Sequence, residues 1–95
     1  MCGLSDSQIS IIQTILRKHK GITKAYIFGS RALGSFKPTS DVDIALQGEI
    51  TLGLIAGVMS DFDESNLPFC VDVIDYLQAN EILKRHIDTQ AQAIL

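Results

Sequence analysis

Asp41 and Asp43 stand two residues apart at the head of an apolar run, a short span after a Gly29-Ser30 pair that itself follows an apolar run, IFGSRALGSFKPTSDVDIAL (residues 27–46). In a strand, residues i and i+2 project from one face, so the two carboxylates aim the same way. Two carboxylates a few ångströms apart do not both ionise cheaply unless a cation lies between them. Gly-Ser at the end of a strand offers backbone N–H groups to a phosphate, and glycine permits close approach. Carboxylates beside such a turn make a hard oxygen site for Mg²⁺ next to a polyphosphate cradle, the metal neutralising both. A third carboxylate would complete the site. FCVDVIDYL supplies Asp72 early in a strand, while Asp75 alternates to the opposite face or the strand end; Asp72 is therefore the expected third member.

The elements that must position these groups are legible as periodicity. LSDSQISIIQTILRKHKG predicts a helix with Ser5, Asp6 or Ser7 as cap, Ser5 and Gln8 at capping-box spacing, and Ile9, Ile12, Ile15 and Leu16 as its apolar stripe. TKAYIFG predicts a first strand, Ser30 to Phe36 a helical turn, and SDVDIALQ a second strand. TLGLIAGVMSDF predicts a helix capped by Thr51, with Leu52, Ile55, Met59 and Phe62 on one face and Gly53 and Gly57 allowing close helix-on-sheet packing. FCVDVIDYL predicts a third strand, and Asn80 caps a final helix carrying Ile82, Leu83, Ile87, Ala91 and Ile94. Strands 2 and 3, joined by a helix, should be parallel. The short link between strands 1 and 2 suits an antiparallel pair, which brings Gly29-Ser30 beside Asp41 and Asp43. The expected fold class is α/β: a three-stranded mixed sheet flanked by helices in the order α-β-α-β-α-β-α, one domain over residues 1–95.

Composition narrows the function classes. The chain has 95 residues, 46% hydrophobic and 20% charged, with a formal charge of −3. These are values of an ordinary globular domain, and a chain this short buries a thin core. It lacks the basic stripe that DNA or RNA binding requires, so a nucleic-acid partner is not expected. Cys2 and Cys70 form neither a disulfide framework nor a zinc spacing, and Cys70 reads as a small packed hydrophobe. No signal peptide or bilayer-spanning run is evident, and the expected location is the cytoplasm, without membrane contact.

The combination GSRALG-x5-SDVDIAL followed by VDVIDY resembles the minimal nucleotidyltransferases of the DNA polymerase β-like superfamily, over most of the chain from Ile11 onward. The resemblance implies their nucleotidyltransferase fold. It also implies two Mg²⁺ ions, with Asp41 and Asp43 ligating the metals that bridge the nucleotide phosphates. Asp72 would ligate the second metal and help deprotonate the attacking hydroxyl. Gly29 and Ser30 would hold the phosphates of an NTP, ATP in the favoured case. The chemistry implied is in-line attack on the α-phosphate with release of pyrophosphate, a protein adenylyltransferase-like reaction. Many members carry a basic residue where Leu33 stands. Members this small are commonly encoded beside an all-helical HEPN-type or substrate-binding protein, and in the best-understood pairs an MntA-like antitoxin adds AMP to a tyrosine of its HEPN toxin. Two other readings share the motif: a catalytically silent antitoxin that binds or scaffolds its partner, and a small-molecule transferase of the aminoglycoside-modifying kind. The latter would need an acceptor pocket from a partner or a homodimer.

Each group also has a plainer reading. Surface carboxylates at strand ends would account for Asp41, Asp43 and Asp72 singly, though not for their coincidence with Gly29-Ser30. Ser30 can serve as a helix cap. Arg31 divides evenly between a phosphate contact and a surface ion pair. Ser40 divides between orienting an aspartate and capping a turn. Lys37 reads as a solvated loop residue. Asp61, Asp63 and Glu64 read as a solvated helix end, and His19 and His86 as isolated surface or core histidines.

Overall fold

Ser5 opens the first helix, as its spacing from Gln8 predicts. Ser5 Oγ accepts from the Gln8 N–H at 3.1 Å and Gln8 Oε1 accepts from the Ser5 N–H at 3.0 Å, closing a capping box before α1, Asp6–Lys18. Asp6 in its first turn and Arg17 and Lys18 in its last complement the helix dipole. The computed structural model describes residues 2–95. β1 (Ile22–Phe28) leads through the four-residue α2 (Ser30–Leu33) to β2 (Val42–Gly48); α3 (Leu52–Asp63) then crosses to β3 (Val71–Asp75). A 3-10 turn, Tyr76–Gln78, precedes α4 (Glu81–Gln90) and a short β4 (Gln92–Ala93). Thr51 Oγ1 and Asn80 Oδ1 cap α3 and α4 by accepting from the Leu54 and Leu83 amides.

The sheet order is β3-β2-β1-β4, with β1 antiparallel to β2 and to β4, and β2 parallel to β3. This corrects the expected three-stranded sheet to four strands. The expected final helix, continuous to Ile94, stops at Gln90. Ala91 turns extended, and the Ile94 N–H donates to Ala25 O at 2.9 Å. The free edge of β1 is thereby paired, which satisfies backbone groups that an edge strand otherwise exposes. Ile94 drops to 3% exposure among the residues of the α1 side.

Alternation along the strands divides the core into two faces. Ala25, Ile27, Val42, Ile44, Leu46, Val71 and Val73 point to the face covered by α1 and α3, through Ile12, Ile15, Leu16, Val58 and Phe62. Phe28 and Ala45, with Tyr26 and Ile74, point to the other face, which α4 covers with Ile87 and Leu83, joined by Ala91 just past the helix end. Asp43 and Asp72 have the parity of this second face.

Three local expectations are corrected. Leu52 is exposed, because the buried stripe of α3 runs through Val58 and Phe62 instead. A Cβ on Gly53 would meet nothing nearer than Thr51 Oγ1 at 3.9 Å, and one on Gly57 would meet His19 at 3.2 Å; neither glycine serves close packing on the sheet. Cys70 is exposed just ahead of β3, whereas Cys2 is buried. Among the described residues no helix is long and apolar enough to cross a membrane.

Candidate active site

The end of β1 and the starts of β2 and β3 meet along one line of the sheet. Phe28 pairs with Asp43 across the antiparallel ladder, and Asp43 pairs with Asp72 across the parallel one. Strand direction thus delivers the Gly29-Ser30 turn beside Asp43, and the parallel register sets Asp72, rather than Asp75, next to it. Asp75 lies at the far end of β3, opposite Leu46, and its Oδ1 accepts from the Leu77 N–H. Asp41 immediately precedes β2, exposed as Asp72 is.

Gly29 shows why its position takes glycine. Its φ of 75° and ψ of −148° are hostile to L side chains, and an added Cβ would lie 2.7 Å from Asp43 Oδ2. The space that a side chain would fill is taken by the carboxylate itself. Gly29 O accepts from both the Ala32 and Leu33 amides, starting α2, and Gly34 in the left-handed region ends it.

The charge state of Asp43 records its surroundings. Burial raises its carboxyl above the usual range, and the negative charges of Asp72 and Asp41 push it further in the same direction. Among the described residues the ion pairs belong to Asp61, with Lys18 and His19; none neutralises these three aspartates. An anionic cluster with hard oxygen donors and no side-chain cation fits Mg²⁺. No three His, Cys, Asp or Glu side chains among the described residues are gathered closely enough to cage an ion unaided.

Arg31 lies apart from this arrangement, and both expectations for it, phosphate contact and surface ion pair, give way. It is 1% exposed, and its guanidinium donates to the carbonyls of Cys2, Pro38 and Ser40 at 3.1, 3.1 and 3.0 Å. The Phe36 and Phe69 rings stand 4.9 and 5.1 Å from it. Carbonyl dipoles and π faces replace a carboxylate partner, and the residue clamps the segment that leads into Asp41. Ser40 caps that segment's turn, its Oγ accepting from the Lys37 N–H at 2.8 Å. Lys37 is exposed.

His86 is brought to the site without having been foreseen: its Nε2 accepts from the Gly29 N–H at 2.9 Å. The available signal was its place on α4 between Leu83 and Ile87, on the side that faces the sheet. A cavity of about 320 Å³ lined by Ile50, Thr51, Leu52, Ile55, Asp75 and Gln78 opens at the opposite end of the β2–β3 pair, away from the aspartates.

Residues 10–95 match the family model "Polymerase beta, Nucleotidyltransferase". The chain belongs to this nucleotidyltransferase family. It is 32% identical over 80 residues to the probable protein adenylyltransferase MntA of Haemophilus influenzae, covering 82% of this chain and 70% of that protein. Among solved structures, a toxin–antitoxin complex with AMP-PNP superposes with a TM-score of 0.77 at 23% identity, over 92% of this chain and 72% of the other. The MNT antitoxin complexed with the tri-AMPylated HEPN toxin of Shewanella oneidensis gives 0.62 at 24% identity, over 92% and 68%. These likenesses establish the nucleotidyltransferase fold.

Proposed function

We propose that this nucleotidyltransferase is a Mg²⁺-dependent protein adenylyltransferase that moves AMP from ATP to a tyrosine hydroxyl of a HEPN-type partner toxin, and so acts as its antitoxin. The observation that carries the reading is the line of Gly29, Asp43 and Asp72: a positive-φ glycine turn packed directly on one of two register-matched carboxylates that repel one another. The similarity to MntA of Haemophilus influenzae supports the protein-directed reaction.

Asp41, Asp43 and Asp72 would hold two Mg²⁺ ions, which neutralise the triphosphate and make the α-phosphorus easier to attack. Gly29 and Ser30 orient the phosphates. Asp72, the most open of the register-matched pair, takes the proton of the attacking hydroxyl. The hydroxyl oxygen forms a bond to the α-phosphorus as the bond from that phosphorus to the β-bridging oxygen breaks, and pyrophosphate leaves. The protein's share of catalysis is positioning and charge placement rather than covalent chemistry.

The test is incubation of the chain and its partner with ATP and Mg²⁺, followed by pyrophosphate measurement and peptide mapping of the partner. Pyrophosphate release matched by AMP on a partner tyrosine supports the reading. A stable complex that releases none and stays unmodified supports a binding-only antitoxin instead, and AMP found only on added small molecules supports the aminoglycoside-like reading.

A further inference from the structure

The Gly29 amide sits where the sheet runs out. Ala25 O accepts from the Ile94 N–H, and Ile27 pairs with Gln92, so the odd-numbered residues of β1 turn their backbone groups toward β4. Gly29 is the next residue on that edge, and the β4 pairing has already ended at Ile27. His86, in the helix just before β4, supplies the missing acceptor at 2.9 Å. A backbone N–H can only donate, so Nε2 is the unprotonated nitrogen, and the neutral ring carries its proton on Nδ1. Phe28 meets the imidazole edge-on, 6.2 Å between centroids at 73°. Gly29 is therefore held from two sides, its N–H by His86 and its α-carbon against the Asp43 carboxylate.

We infer that His86 is a positioning residue for nucleotide binding: its imidazole stands in for an absent strand partner on the Gly29 N–H and holds the Gly29-Ser30 turn in the shape that receives phosphate. The inference rests on the reading of this turn given under Proposed function. Gly29, free of a side chain and at positive φ, would otherwise be the most freely pivoting link between β1 and α2. A turn that is already ordered binds phosphate without first losing that freedom. The tether also joins α4 to the phosphate turn, so the helix that covers the second face of the sheet helps shape the site.

The experiment compares wild type, His86→Ala and His86→Gln, each with its partner if one co-purifies. It records Gly29 amide exchange by NMR, the imidazole ¹⁵N shifts, and affinity for Mg²⁺·ATP by calorimetry. Wild type should show a protected Gly29 amide and an unprotonated Nε2. His86→Ala should lose that protection and bind Mg²⁺·ATP roughly fivefold to tenfold more weakly, the size of one neutral hydrogen bond. His86→Gln, whose Oε1 can accept, should recover most of both. Loss of Gly29 protection with unchanged affinity in His86→Ala would overturn the inference while leaving the nucleotide site intact, as would His86→Gln behaving like His86→Ala. A wild-type protein that fails to bind Mg²⁺·ATP would overturn the proposed function and this inference together. If His86→Ala does not give a dispersed spectrum, His86→Phe replaces it, keeping a ring and removing the acceptor.

Discussion

Replacing Arg31 by methionine keeps most of the aliphatic packing and removes the guanidinium, and the structure sets the size of the effect. Three carbonyls lose a charged donor. Cys2 O is buried with its residue, so stranding it costs about 1–3 kcal/mol. The Pro38 and Ser40 carbonyls are partly buried and regain water in part, at about 1 kcal/mol each. Loss of the cation–π contacts with Phe36 and Phe69 adds about 1 kcal/mol, and relief from burying a charge offsets some of the total. The net expectation is about 3 kcal/mol, a large share of the stability of a domain this small. For a chain of this size it lowers Tm by roughly 12–24 °C. Thermal unfolding followed by circular dichroism reads it directly. Arg31→Lys should fall between, since an ammonium cannot fork to three carbonyls or lie flat between two rings. A methionine variant with wild-type Tm but weakened ATP binding would refute the clamp and restore the phosphate-contact role.

Gly29→Ala should cost about 1–3 kcal/mol of stability from its backbone conformation, and should also displace the Asp43 carboxylate; loss of Mg²⁺·ATP binding in a protein still folded by NMR checks this. Asp43→Asn should abolish transfer yet raise Tm at neutral pH. The sign follows from its raised carboxyl pKa: ionisation is harder in the folded state, so the penalty is full above the raised value and vanishes below the ordinary carboxylate value. The difference in Tm between variant and wild type should therefore close as pH falls through that window, and a Tm difference that widens on acidification would contradict it. Asp61 behaves oppositely. Its hydrogen bond from His19 holds its carboxyl below the usual range, so its contribution is present above the ordinary carboxylate value and is lost as pH falls through the lowered one. Asp61→Asn should lower Tm at neutral pH and make little difference in strong acid.

Much of the fold was legible because local rules and tertiary demands agree. Thr51 and Asn80 cap the helices they were expected to cap, and Ser5 is the one of its three candidates that caps α1, since a hydroxyl or amide oxygen needs only its own next turn. The antiparallel β1–β2 and parallel β2–β3 pairings follow from connection length, and that topology places Asp72 beside Asp43. What was not legible depends on partners distant in sequence. Arg31 is buried because carbonyls from residues 2, 38 and 40 converge on it, and no local pattern announces that. Ile94 leaves the helix because β1 offers a free edge, a property of the assembled sheet. His86 meets Gly29 from 57 residues further along the chain. Cys70 stands exposed because apolar neighbours in sequence say nothing about where a strand begins.

Nucleotidyl transfer governed by the aspartates beside Gly29 can be read by intact-protein mass spectrometry of the co-purified partner. After incubation with ATP and Mg²⁺, the partner should carry one or more AMP increments with the wild-type chain and none with Asp43→Asn, although that variant still binds the partner. A partner that remains unmodified with wild type, or is modified equally by Asp43→Asn, would contradict it.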